Sequence, residues 1–322
     1  MISRTDPNFD AINAMVDEFT QAMGFIGTPD VERIFTSHLL PLERQVLRVT
    51  LGVKIYALKL DFTSDVTERL AKEFAGLEKL SAHFQTYDKL GTATPIYLSK
   101  TGTFFAMNFL DFRTAGERLK ESQQVQTTRQ VYRRAGLWLT AMHEFKSQKR
   151  SPFYGEWMPI EVDARIDDGQ MRAPAQDVAR MRDILADQID AVQMMKDTRV
   201  WSHGDFHSEN MMLGPGITYA FDLTEARMKL AIYDIVDFLK VDIYRDGTGE
   251  MIDRSGIIAS HREMFFRGYK HSVQPELFDV AMRGRLLIDW ASITQQAYFE
   301  DRDGQRKQFA RLKERLDIAF GS

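Results

Sequence analysis

Apolar residues near the start of the chain recur at three- and four-residue intervals, which places them on one face of a helix. Asp6 and Pro7 precede the first of them and are typical of a helix start. The pattern therefore predicts an amphipathic opening helix. The apolar positions along its predicted buried face are Phe9, Ile12, Met15, Val16, Phe19 and Met23.

After this helix the apolar residues form short runs that are rich in β-branched and aromatic side chains. Three runs follow one another between Val31 and Asp61, and Pro41 and Gly52 interrupt them. Since turn-forming residues separate the strands of a meander, this pattern predicts three sequential antiparallel strands. Two later runs, PIYLSKTG and TFFAMNFLD, predict two further strands that end at Asp111.

One helical segment interrupts these five strands. Leu70, Phe74 and Leu77 lie on one face of it, and Ser64 or Asp65 is expected to cap its N-terminus. The N-terminal part of the chain is therefore predicted to be a small antiparallel sheet with one helix inserted between its third and fourth strands.

Helical spacing dominates the rest of the chain. The change falls near Phe109–Asp111, so we expect two domains, residues 1–108 and residues 109–322, the second of them mainly helical. A cleft between two such units is a common place for a ligand to bind. The predicted helical segments are Gln126–Phe145, Ala175–Met195, Ile232–Tyr244, Ser255–Tyr269 and Pro275–Phe299.

Composition narrows the classes of function. The chain has 46 acidic and 42 basic residues, a formal charge of −4, and no long block of like charge, so neither nucleic acid nor a membrane surface is an expected partner. Cysteine is absent, which excludes disulfides and thiolate sites. No segment has the apolar core of a signal peptide or the length of a membrane span, and the expected location is cytoplasmic.

The densest group of polar residues is the segment WSHGDFHSEN, which ends at Asn210. A Gly-Pro-Gly turn follows, and the next apolar run ends at Asp222. Phosphoryl transfer needs a carboxylate at the attacking hydroxyl and oxygen ligands that hold Mg²⁺ against the phosphates. Asp205, Asn210 and Asp222 supply such groups, and the spacing H-x-D-x-x-x-x-N from His203 matches the catalytic loop of kinase-like proteins.

The order HGDFHSEN, AFDLTEA and IYDIVDF resembles the aminoglycoside phosphotransferase and choline kinase family, whose pattern is HGDxHxxN, a strand-borne Asp and a helix opening with Tyr-Asp. The resemblance implies an α+β, two-lobed protein-kinase-like fold with a small antiparallel-sheet N-lobe, which binds the nucleotide, and a larger, mainly helical C-lobe. It also implies that Asp205 is the catalytic base and that Asn210 and Asp222 bind Mg²⁺. Asp234 would then anchor the catalytic loop, and His203 would brace it.

Two weaker similarities to the same family lie in the helical part. The segment AGLWLTAMHEF at residues 135–145 is similar to the family's helix before the catalytic region, and FFRGY at residues 265–269 is similar to a later helix. Together with the main motif they span most of the predicted helical lobe.

A kinase-like fold also needs a strand lysine for the phosphates and a helix glutamate that orients it. Lys59 in YALKLD is the expected lysine, and strand alternation places the small residue Ala57 on its face, which leaves room for a flat base. Glu73 is the expected partner, because it lies beside the apolar stripe of its helix, whereas Glu68 and Glu78 lie further round.

The family resemblance further implies an inter-lobe hinge in FAMNFLD. Met107 would guard the adenine pocket, and backbone groups of Asn108, Phe109 and Leu110 would bind the base. The acceptor site is expected near residues 154–157 and 225–229 and the helices after Ser255.

The sequence also departs from the protein-kinase pattern. The turn SHLLPLE between the first two strands lacks glycine, so other donors must cover the phosphates. Gly204 replaces the arginine of H-R-D, and the short segment between Asp222 and Asp234 leaves little room for an activation loop. A protein substrate is therefore not expected.

Two other functions fit part of the pattern. The alternation of His203, Asp205 and His207 is compatible with a zinc-dependent hydrolase, although the other histidines form no compact ligand motif. A kinase-like module that binds nucleotide without turnover would fit the missing glycine loop. A purely structural interpretation is a separate alternative: isolated Asp and Asn residues such as Asp205 and Asn210 commonly satisfy local turns, and Asp234 and Asp237 suit a helix start.

The preferred hypothesis is a small-molecule kinase that uses ATP or GTP with Mg²⁺. Its acceptor would be a hydroxyl group on an aminoglycoside, a sugar, choline or ethanolamine, or an amino-alcohol. The choice among these acceptors, the preference between ATP and GTP and the oligomeric state stay open at the level of the sequence.

Overall fold

The computed structural model describes residues 5–37, 39–63, 66–122, 124–146, 149–245, 247, 249–301 and 304–321. The strands are β1 (Asp30–Thr36), β2 (Arg44–Leu51), β3 (Lys54–Asp61), β4 (Leu90–Thr92), β5 (Pro95–Leu98), β6 (Phe104–Asn108), β7 (Lys149–Pro152), β8 (Lys196–Ser202), β9 (Met211–Leu213), β10 (Thr218–Ala220) and β11 (Arg227–Leu230). The helices are α1 (Phe9–Ala22), α2 (Val66–Phe84), α3 (Ala115–Glu121), α4 (Val125–His143), α5 (Trp157–Asp168), α6 (Ala175–Val192), α7 (Ala231–Leu239), α8 (Ala259–Gly268), α9 (Pro275–Ala291), α10 (Gln295–Glu300) and α11 (Gln305–Phe320).

The chain divides into two compact units. Unit 1 comprises Met1–Arg113 and Met212–Ala226, and unit 2 comprises Thr114–Met211 and Arg227–Ser322. Residues 212–226, which follow the segment HGDFHSEN, therefore group with the sheet-bearing unit. The predicted boundary at residue 108 stays a prediction.

Unit 1 is built on a five-stranded antiparallel sheet in the order β1-β2-β3-β6-β5. One face of the sheet packs against α1, where Ile12, Val16 and Phe19 meet apolar residues of β2, β3 and β6. Burial of each such side chain contributes about 1.5–3 kcal/mol to the stability of the folded state. The predicted opening helix, inserted helix and five strands are therefore all present, whereas the predicted caps Ser64 and Asp65 lie outside the described residues.

The other face of the sheet carries the polar residues of interest and packs against α2. Phe74 of α2 meets Phe105 of β6 edge to face at 5.9 Å. A second, small sheet in the order β4-β10-β9 joins Leu90–Thr92 to the segment before Asp222. The strand β4 was not predicted, because three residues are too few to show a period.

Unit 2 is mainly helical and is organised around a close crossing of α4 and α8. A Cβ atom at Gly136 would clash with the backbone of α8, and one at Gly268 would clash with the backbone of α4. Glycine at both positions therefore lets the two helix backbones touch. A three-stranded sheet in the order β11-β8-β7 supports the loop that follows β8.

The predicted α+β class, with a small antiparallel sheet and a larger, mainly helical part, is confirmed. The long predicted segment Pro275–Phe299 is divided into α9 and α10, with a break after Ala291. Among the described helices, none combines the length and the apolar content that a membrane crossing requires.

Candidate active site

In unit 1 the Lys59 ammonium group lies at the centre of a polar cluster. It donates to both carboxylate oxygens of Glu73, at 2.7 and 3.0 Å, and to Asp222 Oδ1 at 2.7 Å. The Thr224 hydroxyl lies 2.7 Å from the same nitrogen. Thr224 is also within hydrogen-bonding distance of Glu73, at 3.1 Å, and of Asp222, at 2.6 Å. The structure thus brings together the predicted strand lysine, helix glutamate and strand-end aspartate.

The positions of these groups follow from two periodicities. Lys59 lies on β3 and faces α2, as the alternation of the strand predicts. Glu73 lies on α2 beside the buried residues Leu70 and Leu77, and it is itself buried. The helical stripe that packs on the sheet therefore carries the glutamate to the lysine.

The charges in this cluster do not cancel. Burial alone would lower the pKa of Lys59, but Asp222 and Glu73 raise it above its usual value, so the ammonium form is stabilised. Burial raises the pKa of Glu73, and Asp222 adds to this effect, while Lys59 opposes it. The Lys59 ammonium group is thus in contact with two carboxylates.

Asp222 has a left-handed backbone conformation, with φ of 64°. Residues other than glycine adopt this region infrequently, and Asp and Asn do so more readily than most. Thr224, two residues later, was missed by the sequence analysis. The only sequence signal for it is its place after the Phe-Asp pair, because its role depends on three-dimensional proximity to Lys59.

In unit 2 the loop after β8 carries the predicted base. The Asn210 amide nitrogen donates to the Asp205 backbone carbonyl at 3.0 Å and lies 3.3 Å from its Oδ2. His207 Nε2 lies 3.4 Å from the same carboxylate. The Asp205 side chain is 54% exposed, whereas Asn210 is buried. The backbone at Asp205 is therefore held by Asn210, while the Asp205 carboxylate is exposed.

Asp234, at the start of α7, holds this loop from inside unit 2. Its carboxylate accepts hydrogen bonds from the Ser202 hydroxyl at 2.7 Å and from the backbone N–H groups of His203 and Gly204 at 2.8 and 2.9 Å. Gly204 has a positive φ of 86°, which glycine adopts without strain. Gly204 stands where protein kinases have the arginine of H-R-D. It therefore allows the turn that points the Gly204 N–H group at Asp234.

The two weaker sequence similarities meet at Asp234. His143 of α4 donates from Nε2 to its Oδ2 at 3.0 Å, and His143 Nδ1 lies 2.8 Å from the Tyr269 hydroxyl. All three residues are buried. The close crossing of α4 and α8 places this histidine and this tyrosine together.

We expect Asp234→Ala to lower the free energy of unfolding by about 3–5 kcal/mol, because it removes one partner from a buried charged network. Burial alone would raise the pKa of Asp234, but His143, His203 and Gly204 lower it below its usual value. The stabilisation is therefore present above the usual carboxyl pKa and is lost as the pH falls through the lower, folded-state pKa. Urea unfolding at pH 7 tests the magnitude, with exposed Asp167→Ala as the control. A loss similar to that of the control would contradict the anchoring role.

Glu209 is a loop residue that the sequence analysis did not identify. Its carboxylate accepts from the Thr114 hydroxyl at 2.7 Å and from Lys120 at 2.9 Å, and it packs where a side chain on Gly116 would clash. Burial alone would raise the pKa of Glu209, but Thr114 and Lys120 lower it. Thr114 and Glu117 also form a capping box, and this motif is readable in the sequence.

The predicted hinge residues lie at the end of β6 in unit 1. Met107 pairs with Ala57 across the sheet, and Asn108 pairs with Tyr56. The Asn108 N–H donates to the Thr94 carbonyl oxygen at 3.0 Å, and the Phe109 N–H donates to the Ile55 carbonyl oxygen at 3.3 Å. Leu110 is buried. The hinge backbone is therefore well anchored, and its role toward a base stays a prediction.

Aromatic residues cluster near the start of α7. The Trp157 indole donates to the Tyr233 hydroxyl at 3.0 Å, and Tyr154 and Trp157 are partly exposed. Tyr233 precedes Asp234 in the chain, so these rings lie close to the start of α7 and to Asp234. Of the segments expected to bind the acceptor, residues 154–157 and α8 belong to unit 2, whereas Glu225 belongs to unit 1.

The zinc-hydrolase alternative gains no support. His203 is fully buried and meets Trp138 at 5.9 Å and Phe206 at 5.5 Å between ring centres. His207 Nδ1 accepts from the Glu209 N–H at 3.2 Å. Within the described part of the chain, no three His, Asp or Glu side chains are grouped as metal ligands.

The sequence matches a known family over most of its length. Residues 42–270 match the model of the phosphotransferase enzyme family. This range includes Lys59, Asp205, Asn210 and Asp222. No curated protein matches the chain.

Solved structures match nearly the whole chain. Spectinomycin phosphotransferase APH(9)-Ia in complex with ADP and spectinomycin is 16% identical, covers 95% of this chain and 97% of its own, and has a TM-score of 0.58. Amicoumacin kinase hAmiN in complex with AMP-PNP, Ca²⁺ and Ami is 15% identical, with 97% and 96% covered and a TM-score of 0.58. Choline kinase LicA from Streptococcus pneumoniae is 14% identical, with 95% and 99% covered and a TM-score of 0.58. At these identities the likeness shows the fold, and the predicted kinase-like fold is confirmed.

Proposed function

Because this chain belongs to the phosphotransferase enzyme family, we propose that it transfers the γ-phosphoryl group of ATP or GTP to a hydroxyl group of a small metabolite or antibiotic. The predicted family and the enzyme class, a phosphotransferase with an alcohol group as acceptor, are confirmed by this membership and by the similar structures. The observation that carries the proposal is the contact of Lys59 with Glu73 and Asp222, the latter 163 positions away in the chain.

The roles proposed for unit 1 follow from charge. Lys59 binds the α- and β-phosphates, and Glu73 holds its ammonium group in place. The small side chain of Ala57 and its neighbour Met107 border the base, which the backbone of residues 108–110 binds. The complexes of similar proteins with ADP and AMP-PNP support a nucleotide as the co-substrate.

Asp222 and Asn210 are the proposed Mg²⁺ ligands. Their donor atoms fit a hard cation, since Asp222 has a carboxylate that is 40% exposed and Asn210 keeps its amide oxygen while its nitrogen donates to Asp205. When bound, Mg²⁺ would neutralise charge on the phosphates. The similar amicoumacin kinase complex contains Ca²⁺, another divalent cation that prefers oxygen ligands.

Asp205 is the proposed base. It accepts the proton of the acceptor hydroxyl as that oxygen forms a bond to the γ-phosphorus, while the bond from the γ-phosphorus to the leaving nucleoside diphosphate breaks. Asp234 and His203 hold the loop, so the carboxylate is positioned before the substrate binds. The aromatic rings of Tyr154, Trp157 and Tyr233 offer a surface for the acceptor.

Thermal unfolding with and without nucleotide tests this function. We expect ATP or GTP with Mg²⁺ to raise the melting temperature above that with Mg²⁺ alone, because a ligand that binds only the folded state stabilises it. A panel of aminoglycosides, sugars, choline, ethanolamine and amino-alcohols is then assayed for release of ADP or GDP. Stabilisation by zinc with no response to either nucleotide would contradict the proposal and favour a hydrolase.

A further inference from the structure

Two arginines share one buried carboxylate at the end of β3 in unit 1. Asp61 Oδ2 contacts Arg69 and lies 3.1 Å from Arg44 Nε. Its Oδ1 accepts from the N–H and the hydroxyl of Thr63 at 2.9 and 2.7 Å. Asp61 therefore forms ion pairs with both guanidinium groups.

Both arginines keep donors for another ligand. The Arg44 side chain is 41% exposed and the Arg69 side chain is 26% exposed. A guanidinium group has five N–H donors in a planar fork that matches phosphate oxygens. Asp61 occupies only part of this capacity in each case.

The register of the sheet places Arg44 and Asp61 near Lys59. Arg44 pairs with Asp61 across β2 and β3, and Val46 pairs with Lys59. Paired residues, and residues two apart on one strand, point to the same face of a sheet. Arg44 and Asp61 therefore share the face of Lys59, about 7 Å further along the strand.

The position of the predicted hinge relative to β3 determines the order in which a bound nucleotide would meet Lys59 and Asp61. Asn108 of the hinge pairs with Tyr56, at one end of β3, whereas Asp61 ends the strand at the other. A nucleotide whose base lies at the hinge and whose inner phosphates lie at Lys59 would point its outer phosphates toward Asp61. The two arginines lie where those phosphates would be.

The two guanidinium groups and the Asp61 carboxylate together carry a net positive charge, which favours an anion in contact with them. Arg44 and Arg69 carry two positive charges against the one negative charge of Asp61. Burial and the nearby charge of Arg44 lower the pKa of Arg69, while Glu73, Asp222 and Glu225 oppose this shift. A phosphate would relieve the repulsion between the guanidinium groups. Lys59, with two carboxylate partners, supplies no excess positive charge of its own.

We propose that Arg44 and Arg69 form a phosphate-binding pair, positioned by Asp61, which contacts the outer phosphates of the nucleoside triphosphate. A glycine-rich loop would offer hydrogen-bond donors to these phosphates, but the turn SHLLPLE has no glycine. The arginine pair supplies donors in place of such a loop. This inference rests on the proposed function, and it adds two binding residues to it.

Binding of ATP, ADP and AMP to Arg44→Gln and Arg69→Gln tests the pair by titration calorimetry in the presence of Mg²⁺. We expect each variant to lose about tenfold or more in ATP affinity, since a hydrogen bond to a charged group contributes about 1.5–3 kcal/mol. The loss should be smaller for ADP and absent for AMP. Lys72→Gln, which removes an exposed cation from the same helix as Arg69, should bind all three ligands as the wild type does.

The comparison across ligands separates phosphate binding from a structural role. If the arginines only tie α2 to the sheet, the affinities for ATP and AMP should fall by the same factor, which would overturn the inference. Arg44→Lys keeps the charge and should recover part of the ATP affinity. Unchanged ATP affinity in both glutamine variants would refute the pair but leave the proposed function standing. A wild-type protein that binds no nucleoside triphosphate would refute both.

Discussion

Asp205→Asn is expected to lower kcat by about 10²–10⁴-fold, the range that general acid–base catalysis contributes. The substitution removes the proton acceptor and keeps the size of the side chain. Asp205 is exposed and is held through its backbone carbonyl by Asn210, so the loop should keep its conformation. Nucleotide affinity should therefore stay within about twofold of the wild type, since the base takes no part in binding phosphates. The measurement is kcat and KM with the acceptor found in the panel, together with nucleotide-dependent melting.

A matched control is Asp190→Asn, which removes an exposed carboxylate from α6 of the same unit and should leave kcat unchanged. Full activity of Asp205→Asn would show that another group accepts the proton. A fall in both kcat and nucleotide affinity would instead show that Asp205 holds the phosphates or their cation.

The parts of the site that could be predicted from sequence depend on local patterns. Asp205 and Asn210 belong to one short motif, and strand alternation places Lys59 on a face without knowledge of its partners. The helical stripe selected Glu73 from three nearby acids for the same reason. In each case a period of two or of three to four residues determines the direction of the side chain.

The parts that were missed depend on contacts between distant segments. Thr224 reaches Lys59 across 165 positions, and Glu209 meets Thr114 across 95. Neither contact has a signature in the local sequence. Arg44 and Arg69 look like ordinary solvated charges until the register of β2 and β3 places Arg44 at Asp61 and the packing of α2 brings Arg69 to the same carboxylate.

The two family similarities in the helical part acquire a physical explanation from the structure. Gly136 and Gly268 let α4 and α8 cross closely, and this crossing aligns His143 and Tyr269 with Asp234. The short segments at residues 135–145 and 265–269 therefore contribute to one buried network. This network holds the backbone N–H groups that precede Asp205.

Asp222→Asn is expected to abolish the Mg²⁺-dependent part of nucleotide binding and to lower kcat by about a hundredfold or more. Asn tolerates the left-handed backbone of Asp222 better than Ala does, so the substitution tests charge rather than backbone strain. With nucleotide at about 100 times its Kd, binding stabilises the wild type by about 2.7 kcal/mol, which is the upper limit of the stabilisation that the variant loses in a melting experiment.

The effect on binding without Mg²⁺ should have the opposite sign. Asp222 is one of two carboxylates that face Lys59, so its neutralisation leaves Lys59 with a single anionic partner, Glu73. Nucleotide bound in the presence of EDTA would then meet less repulsion and should bind as tightly as to the wild type, or more tightly. The matched control is Glu78→Gln, which removes an exposed carboxylate from α2 of the same unit and should preserve the response to Mg²⁺. Equal losses with Mg²⁺ and with EDTA would show that Asp222 positions Lys59 instead of binding the cation.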